Sequence, residues 1–384
     1  MKKFMVIIAV IAMVGAFAAT SMAAEWSFYG SARMNTTYYD KSKETVTQGL
    51  EATDVPNPAL FDDQDMTWTD QSNARFGAKV KASDAVSGRF EFQTGVAAVG
   101  LRLMYGVYSW GSGSLLVGQD YTPVDQILSS SIGALGYQIT GAGYGAPDDG
   151  EGDALTIGTL YESRQPQIKL KFGDLQLAFI KMSTIAPEGQ GLYTDVDTYL
   201  PKIEVSYTFK TDMFSLTPYG GYNAVDFTNP NTDDSETVTS YVYGVAGKVN
   251  FGPMFVKANV FGSQNSGNWA KYNARVNDNA VFDANGNVED STTYGGQIIA
   301  GFKLSDMFTF EAGYSADSNE VDVAGGTQKN KPSHWYVNAT LTLAPGVYII
   351  PEVGMFDFGD LEQPGGDVDQ GDATYYGVEW KINF

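Results

Sequence analysis

Apolar and polar residues alternate one for one along much of this chain. In KIEVSYTFK (202–210), Ile203, Val205, Tyr207 and Phe209 fall on one face, and Lys202, Glu204, Ser206, Thr208 and Lys210 on the other. WYVNATLTL (335–343), FTFEAGY (308–314), GQIIAGFKL (296–304) and GRFEFQ (88–93) repeat the pattern, and YYGVEWKINF (375–384) carries it to the last residue. A period of two over this length predicts β-strands with two unlike faces.

Turn signals divide these runs into sixteen segments: 26–39, 68–82, 88–94, 100–110, 115–120, 158–172, 175–184, 199–210, 214–226, 238–250, 254–265, 292–304, 307–317, 333–344, 346–357 and 373–384. Short turns such as GD (173–174), FGP (251–253) and PG (345–346) alternate with long connections, of which 121–157 and 40–67 are the longest. An even number of antiparallel strands returns both ends to one side, as a closed barrel requires. Most segments reach the ~9–11 residues a tilted strand needs to cross a bilayer.

Aromatic placement separates a membrane barrel from a soluble sandwich. Phe172, Phe209, Phe214, Phe251, Phe308 and Phe384 flank the short turns. Tyr199, Tyr222, Tyr241, Tyr243, Tyr294, Tyr314 and Trp335 gather toward the long-loop ends. Two aromatic belts at opposite strand ends are what two membrane–water interfaces select. The expected fold is therefore all-β: a transmembrane antiparallel β-barrel of sixteen strands, with 373–384 as the closing strand against WSFYGSARMNTTYY (26–39).

The first residues agree with export. Lys2 and Lys3 precede an apolar run from Phe4 to Ala19, and Ser21-Met22-Ala23 fits a small-x-small cleavage pattern, with a cut after Ala23 or Ala24. Residues 1–23 thus read as a secretory signal peptide and 24–384 as one barrel domain. With 0 cysteines, neither a disulfide nor a thiolate metal site is available. The net charge of −21 disfavours nucleic acid, whose phosphates need clustered Lys and Arg. A hydrophobic fraction of 43% is too high for a disordered acidic chain. No cofactor and no metal are expected; DANGNVED (283–290) has its glycine too early for a calcium loop and reads as a hairpin tip.

In WSFYG (26–30), NARFGAKV (73–80), LRLMYGVYSW with GSGSLLVGQDYTP (101–123), and YESRQP (161–166), the chain resembles the Gram-negative general-diffusion porins. That resemblance implies outer-membrane localisation and a homotrimer of sixteen-stranded barrels. It also implies a third outer loop folded into the lumen and an arginine cluster facing loop-three acids across the constriction. The matching arginines are Arg75, Arg102 and Arg164. The terminal strand's outer residues Tyr376, Val378, Trp380, Ile382 and Phe384 resemble the signal that barrels present to their assembly machinery.

Alternation supports part of this set independently. Arg75 shares a face with Gly77, Lys79 and Lys81, and Arg102 shares one with Gly106, opposite Leu101, Leu103 and Val107. Arg33 and Arg89 also point inward. A lipid-facing arginine costs about 2–4 kcal/mol at mid-membrane, which favours the lumen. Arg164 falls in register with Ile168, Leu170 and Phe172, so it reaches the lumen only if Pro166 marks a bulge.

Loop three departs from the family. Asp125 lies at its start, and Asp148, Asp149, Glu151 and Asp153 toward its end, while 126–146 carries no charge. PDDGEGD (147–153) reads equally as a solvated acidic loop. Acids crowd the other outer loops, as in Asp62, Asp63 and Asp65, or Asp367, Asp369 and Asp372. Their field favours cations at the mouth, and they border lipopolysaccharide. The expected function is passive diffusion of small hydrophilic solutes and ions, with cation preference. The alternatives are a substrate-selective channel, or a plugged barrel acting as receptor or structural protein. Catalysis is not expected: His334, the sole histidine, and Ser333 are adjacent on one strand and point to opposite faces.

Overall fold

Backbone hydrogen bonds join the alternating segments into a single closed antiparallel sheet. The computed structural model describes residues 24–41, 45–47, 63–71, 73–94, 99–132, 157–182, 187, 193, 195–269 and 278–384. Residues 1–23, expected to be a signal peptide, lie outside them.

Sixteen strands form the barrel. They are β1 (Glu25–Lys41), β2 (Asp63–Asp70 and Arg75–Lys81), β3 (Val86–Thr94), β4 (Val99–Trp110), β5 (Gly113–Tyr121) and β6 (Arg164–Phe172). There follow β7 (Leu175–Ile180), β8 (Asp195–Asp197, Lys202–Tyr207 and Phe209–Lys210), β9 (Phe214–Thr228), β10 (Ser235–Phe251) and β11 (Met254–Gln264). The last five are β12 (Ser291–Lys303), β13 (Phe308–Val323), β14 (Gly326–Asn330 and Ser333–Ala344), β15 (Val347–Asp357) and β16 (Asp372–Asn383).

Closure is between β1 and β16, in register from Ser31↔Asn383 to Lys41↔Ala373. The terminal residue takes part: the Gly30 N–H donates to the Phe384 carbonyl at 2.7 Å, and the Phe384 N–H to the Gly30 carbonyl at 3.0 Å. No sheet edge is left at the seam, which a bilayer demands because hydrocarbon offers no hydrogen bonds. Short turns use left-handed glycines, as at Gly173 (φ 59°) and Gly252 (φ 60°).

The barrel is inside-out. Its exposed face carries Phe28, Trp68, Val260, Ile298, Val337 and Ile382, while Asn35, Glu91, Glu204, Asn259, Gln297 and Asn338 are buried. Burying these polar groups on the concave side is favourable only where partners or water meet them. Putting apolar ones outside suits a hydrocarbon surround. All seven long-loop aromatics are exposed, led by Tyr199, and so are Phe172, Phe209, Phe214, Phe251 and Phe384; Phe308 is half-buried. On β16, Tyr376, Trp380 and Ile382 face outward with Phe384, and Val378 is partly covered.

Three boundaries differ from the alternation. The ladder of β13 continues to Val323 and turns back through Gly326–Asn330, so the expected loop at 318–332 is a hairpin projecting beyond the belt. β2 is interrupted at 71–74, where four residues oppose two of β1, and the Gln71 N–H donates to the Arg33 carbonyl. β6 begins at Arg164 rather than 158. A hairpin of Val281–Phe282 and Val288–Glu289 carries the DANGN tip.

The face assigned to Arg102 is corrected in its surroundings. The register against β3 shifts between Glu91 and Phe92, which pair with Leu103 and Leu101 and leave Arg102 as the extra residue. Arg102 and Leu103 are both buried, and beyond them Met104, Gly106 and Tyr108 face outward. Gly106 therefore lies on the face opposite to the expected one. On the neighbouring strand Gly118 packs closely, and a Cβ there would run into the Met104 carbonyl. Gln119 Nε2 donates to the carbonyls of Leu101 and Arg102, both at 3.1 Å, satisfying the bulge.

Candidate functional site

Three of the expected arginines meet at a carboxylate of the inner wall that the sequence reading did not single out, and a fourth, Arg33, borders the same cavity as Arg75. Glu91 is fully buried. It accepts from Arg89 Nη2 at 2.8 Å, Arg102 Nε at 3.0 Å, Arg75 Nη1 at 3.4 Å and the Tyr29 hydroxyl at 2.8 Å. Arg89 also donates to the Tyr29 oxygen at 2.8 Å and lies 5.2 Å from that ring's centroid. Arg33 donates to Ser31 Oγ at 2.9 Å and sits 3.9 Å from Glu379. The signal for Glu91 was present in GRFEFQ, where it shares the inward face with Arg89.

Exposure separates these arginines. Arg102 is wholly enclosed and also donates to the Tyr121 hydroxyl, so it braces the wall and does not face open space. Arg33 and Arg75 border an internal cavity of about 430 Å³ with Lys381, Glu379 and the serines at 129–131. Arg33 and Lys381 are direct cross-strand partners on β1 and β16. Three cations and one carboxylate thus border this cavity among the described residues.

Arg164 is buried without the bulge proposed for it. The β5–β6 register runs unbroken through Pro166, and Arg164 opens the strand after Ser163 (φ 71°). It donates to the Tyr161 hydroxyl at 2.8 Å and lies 5.5 Å from the Tyr121 ring centroid. It therefore packs at the root of the β5–β6 connection, behind Tyr121, which borders the Arg33–Arg75 cavity.

Asp125 is an anchor rather than a charge on open space. Its carboxylate accepts the N–H of Glu162 at 2.9 Å and of Thr122 at 3.3 Å, tying together the two limbs of the β5–β6 connection. Burial, reinforced by the neighbouring Glu162, raises its carboxyl well above the ordinary range. Beside it Lys202 Nζ bonds Glu162, approaches Glu204 at 3.8 Å, donates to the Trp269 carbonyl at 3.2 Å and lies 4.6 Å from the Trp269 ring centroid. The close packing of Trp269 needs Gly221, because a Cβ there would strike the indole.

The first limb of this connection hydrogen-bonds the buried face of the barrel. The Val124 N–H donates to Glu204 on β8 at 3.1 Å, the Ser130 N–H to Glu311 on β13 at 2.8 Å, and the Ile132 N–H to Glu352 on β15 at 3.0 Å. Lys257 on β11 donates to the Leu128 carbonyl at 2.7 Å, and Gln71 to the Ile132 carbonyl at 3.1 Å. Asp148, Asp149, Glu151 and Asp153 lie outside the described residues, as does most of the uncharged stretch 126–146.

His334 makes no catalytic pair. Its ring lies 4.1 Å from that of Phe356, and Nε2 meets the Tyr375 hydroxyl at 3.0 Å, while Ser333 points away. At the outer hairpin tip, the side-chain amide and backbone N–H of Asn287 hold the Asp283 carboxyl down to about 2. Its negative charge stabilises the tip above the unfolded pKa and that contribution is lost as pH falls through about 2. Amide exchange at Asn285 and Asn287 is therefore expected to stay slow down to that region in the wild type and to be fast at all pH values in Asp283→Ala.

No protein-family model matches this chain, and neither does any curated protein. Solved structures do match it over nearly its full length. The outer membrane channel DcaP of Acinetobacter baumannii is 15% identical, with a TM-score of 0.65, over 95% of this chain and 99% of that one. The anion-selective porin from Comamonas acidovorans is 13% identical, with a TM-score of 0.58, over 94% and 100%. OmpF of Salmonella typhi is 14% identical, with a TM-score of 0.55, over 93% and 97%. The chain has the fold of the outer-membrane channel barrels.

Proposed function

We propose that this protein is a porin of a Gram-negative outer membrane, through which small hydrophilic solutes and ions diffuse passively. The observation that carries the reading is the inverted barrel: an apolar belt outside, and inside a polar wall with a cavity bordered by Arg33, Arg75 and Lys381. Named porins and channels with the same fold support it. The β5–β6 connection is the third outer loop, folded into the lumen as the constriction; the contacts of Val124–Ile132 with wall carboxylates favour this.

Ion preference arises from two fields in series. The acidic outer loops concentrate cations at the mouth, and the cationic trio at the cavity opposes them further in. The net result is a cation preference. Replacing Arg33, Arg75 and Lys381 together by alanine is expected to strengthen it. Arg102→Ala, removing an enclosed group, is expected to weaken the fold more than it moves selectivity. Reversal potentials under a KCl gradient across a planar bilayer decide this. A wild-type potential on the anion side overturns the cation preference, and an absence of conductance from well-folded protein overturns the channel itself.

Assembly follows the same reading. The exposed residues of β16 that end on Phe384 suit recognition by the barrel assembly machinery, and the outer loops border lipopolysaccharide. The fold match to the trimer form of Vibrio cholerae OmpT, with a TM-score of 0.55, favours a homotrimer. Conductance that closes in three equal steps is the expected signature.

A further inference from the structure

The inside of the barrel is not polar throughout. On β9, β10 and β11 the inner face also carries Tyr219, Val225, Phe227, Val238, Val242 and Phe261, all of them buried. Lumen-facing positions of a water-filled barrel are ordinarily polar, and apolar groups there are favourable only under a cover that keeps water off them. Part of that cover comes from the β11–β12 connection. Its Trp269 joins Tyr219, Val242 and Phe261 in one apolar cluster with Val124 and Leu160, which come from the two limbs of the β5–β6 connection. Further along, Ala280 and Phe282 cover Val225, Phe227 and Val238.

The insertion is held firmly. After β11 ends at Gln264, Asn265 takes a left-handed backbone (φ 53°), and the Trp269 N–H returns to the Asn265 carbonyl at 3.0 Å, closing a single turn. Asn265 Nδ2 donates to the Thr239 carbonyl at 2.9 Å and to Asp290 at 2.6 Å, and its Oδ1 accepts the Ser291 N–H at 2.8 Å. The turn is also clamped to the returning chain: the Gly267 N–H donates to the Asp278 carbonyl at 2.9 Å, and the Ala280 N–H to Asn268 Oδ1 at 2.7 Å. The indole at the end of this turn is fully buried over Gly221 on β9, halfway round the sheet from β1. The Arg33–Arg75 cavity is walled by β1, β2, β14, β15 and β16, with Tyr121 and residues 127 and 129–132.

We propose that Trp269 is a specificity-determining residue for permeation: wedged between the wall and the β5–β6 connection, it closes the β8–β11 side of the lumen and confines solutes to the side of Arg33, Arg75 and Lys381. One residue suffices because an indole is large and rigid, and a dry apolar contact excludes ions as well as water. Beside it lie Glu204 on the wall and Glu162 on the loop, with the Lys202 ammonium bonded to Glu162 and 3.8 Å from Glu204. The sector that the indole seals therefore holds two carboxylates against one ammonium, whereas the open side holds three cations against one carboxylate. This inference rests on the reading of the protein as a diffusion channel.

The test uses refolded full-length mature protein in planar bilayers. Its readouts are single-channel conductance, exclusion of neutral polymers of graded size, and reversal potential under a KCl gradient. Trp269→Ala is expected to raise conductance about 1.5-fold or more and to admit larger polymers. It also moves the reversal potential toward the cation side, because the opened sector presents Glu162 and Glu204 and bypasses the three cations. Trp269→Phe keeps a ring in place and stays near the wild type. Should Trp269→Ala fail to fold, Trp269→Leu, which keeps apolar volume over Gly221, gives the same changes at smaller size. The chain has 0 cysteines, so Trp269→Cys supplies a unique thiol, and a bulky uncharged thiosulfonate reagent attached there is expected to refill the sector and reverse the gain. Variants that fold and keep wild-type conductance, exclusion size and reversal potential overturn the proposal, as does a Trp269→Cys channel whose gain survives the adduct. A wild type that does not conduct overturns the channel reading instead.

Discussion

Glu91→Ala is expected to lower the stability of the barrel by about 3–5 kcal/mol, the cost of removing one partner from an enclosed ion cluster. Glu91 and Arg102 are both fully buried at 3.0 Å, so the guanidinium left behind has no water to replace its carboxylate. Arg89 and Arg75 lose the same acceptor and three like charges then repel one another across β2, β3 and β4. Glu91→Gln keeps the volume and one acceptor, and it is expected to lose less. Converting Glu91 and Arg102 together to leucine is expected to be milder than Glu91→Leu alone, because the orphaned charge leaves with its partner. Urea unfolding followed by heat-modifiable mobility measures these differences. A double variant as unstable as the single one would show that Arg102 does not depend on Glu91. Permeation moves as well: removing one negative charge beside Arg75 raises the positive field at the cavity, so cation preference falls in any single Glu91 variant that folds.

Alternation carried the fold because a membrane barrel makes the two faces chemically opposite along every strand. WYVNATLTL and YYGVEWKINF therefore revealed β14 and β16 with their lipid faces, and the terminal phenylalanine its place at the seam. The pattern lost its hold where the chain leaves hydrocarbon. Beyond Asp317 the outward face of β13 carries Ser318, Glu320 and Asp322, so the ladder to Val323 continues without an apolar signature on that face. The bulge at Arg102 is illegible from LRLMYG because the groups that accommodate it, Glu91 on one side and Gln119 on the other, lie on neighbouring strands. Site residues divide in the same way. Side-chain direction is local, so Arg33, Arg75 and Arg89 were readable, and Glu91 and Glu204 would have been by the same test. Partnership is tertiary, so neither the neutralising role of Glu91 nor the burial of Asp125 was within reach. Glu162 and Lys202 are forty residues apart and meet only after the loop has folded back.

The second large effect concerns that meeting. Among the described residues Lys202 is the cation shown bonded to Glu162 and close to Glu204, and Asp125 lies in the same group. Lys202→Met keeps the stem volume and the packing on Trp269 but leaves three carboxyls without a counter-charge. Near pH 7 it is expected to cost about 3–5 kcal/mol. The sign of its pH dependence follows from the direction of the shifts. Burial and Glu162 already raise the Asp125 carboxyl in the wild type, so between the unfolded pKa and the higher folded one the folded protein holds a proton that the unfolded chain has released. Stability from such a group is fully present below the unfolded pKa and is lost as pH rises through the higher folded value. Lys202 pulls the Asp125 carboxyl down, so removing the ammonium raises it further and the folded variant takes up its proton at a higher pH than the wild type does. Its deficit is therefore expected to shrink on acidification from pH 7 toward pH 4, and Asp125→Asn in the same background is expected to recover part of the loss at pH 7. Unfolding midpoints measured across that range decide the matter: a deficit that stays constant with pH would mean that Lys202 holds this corner by packing on Trp269, not by charge.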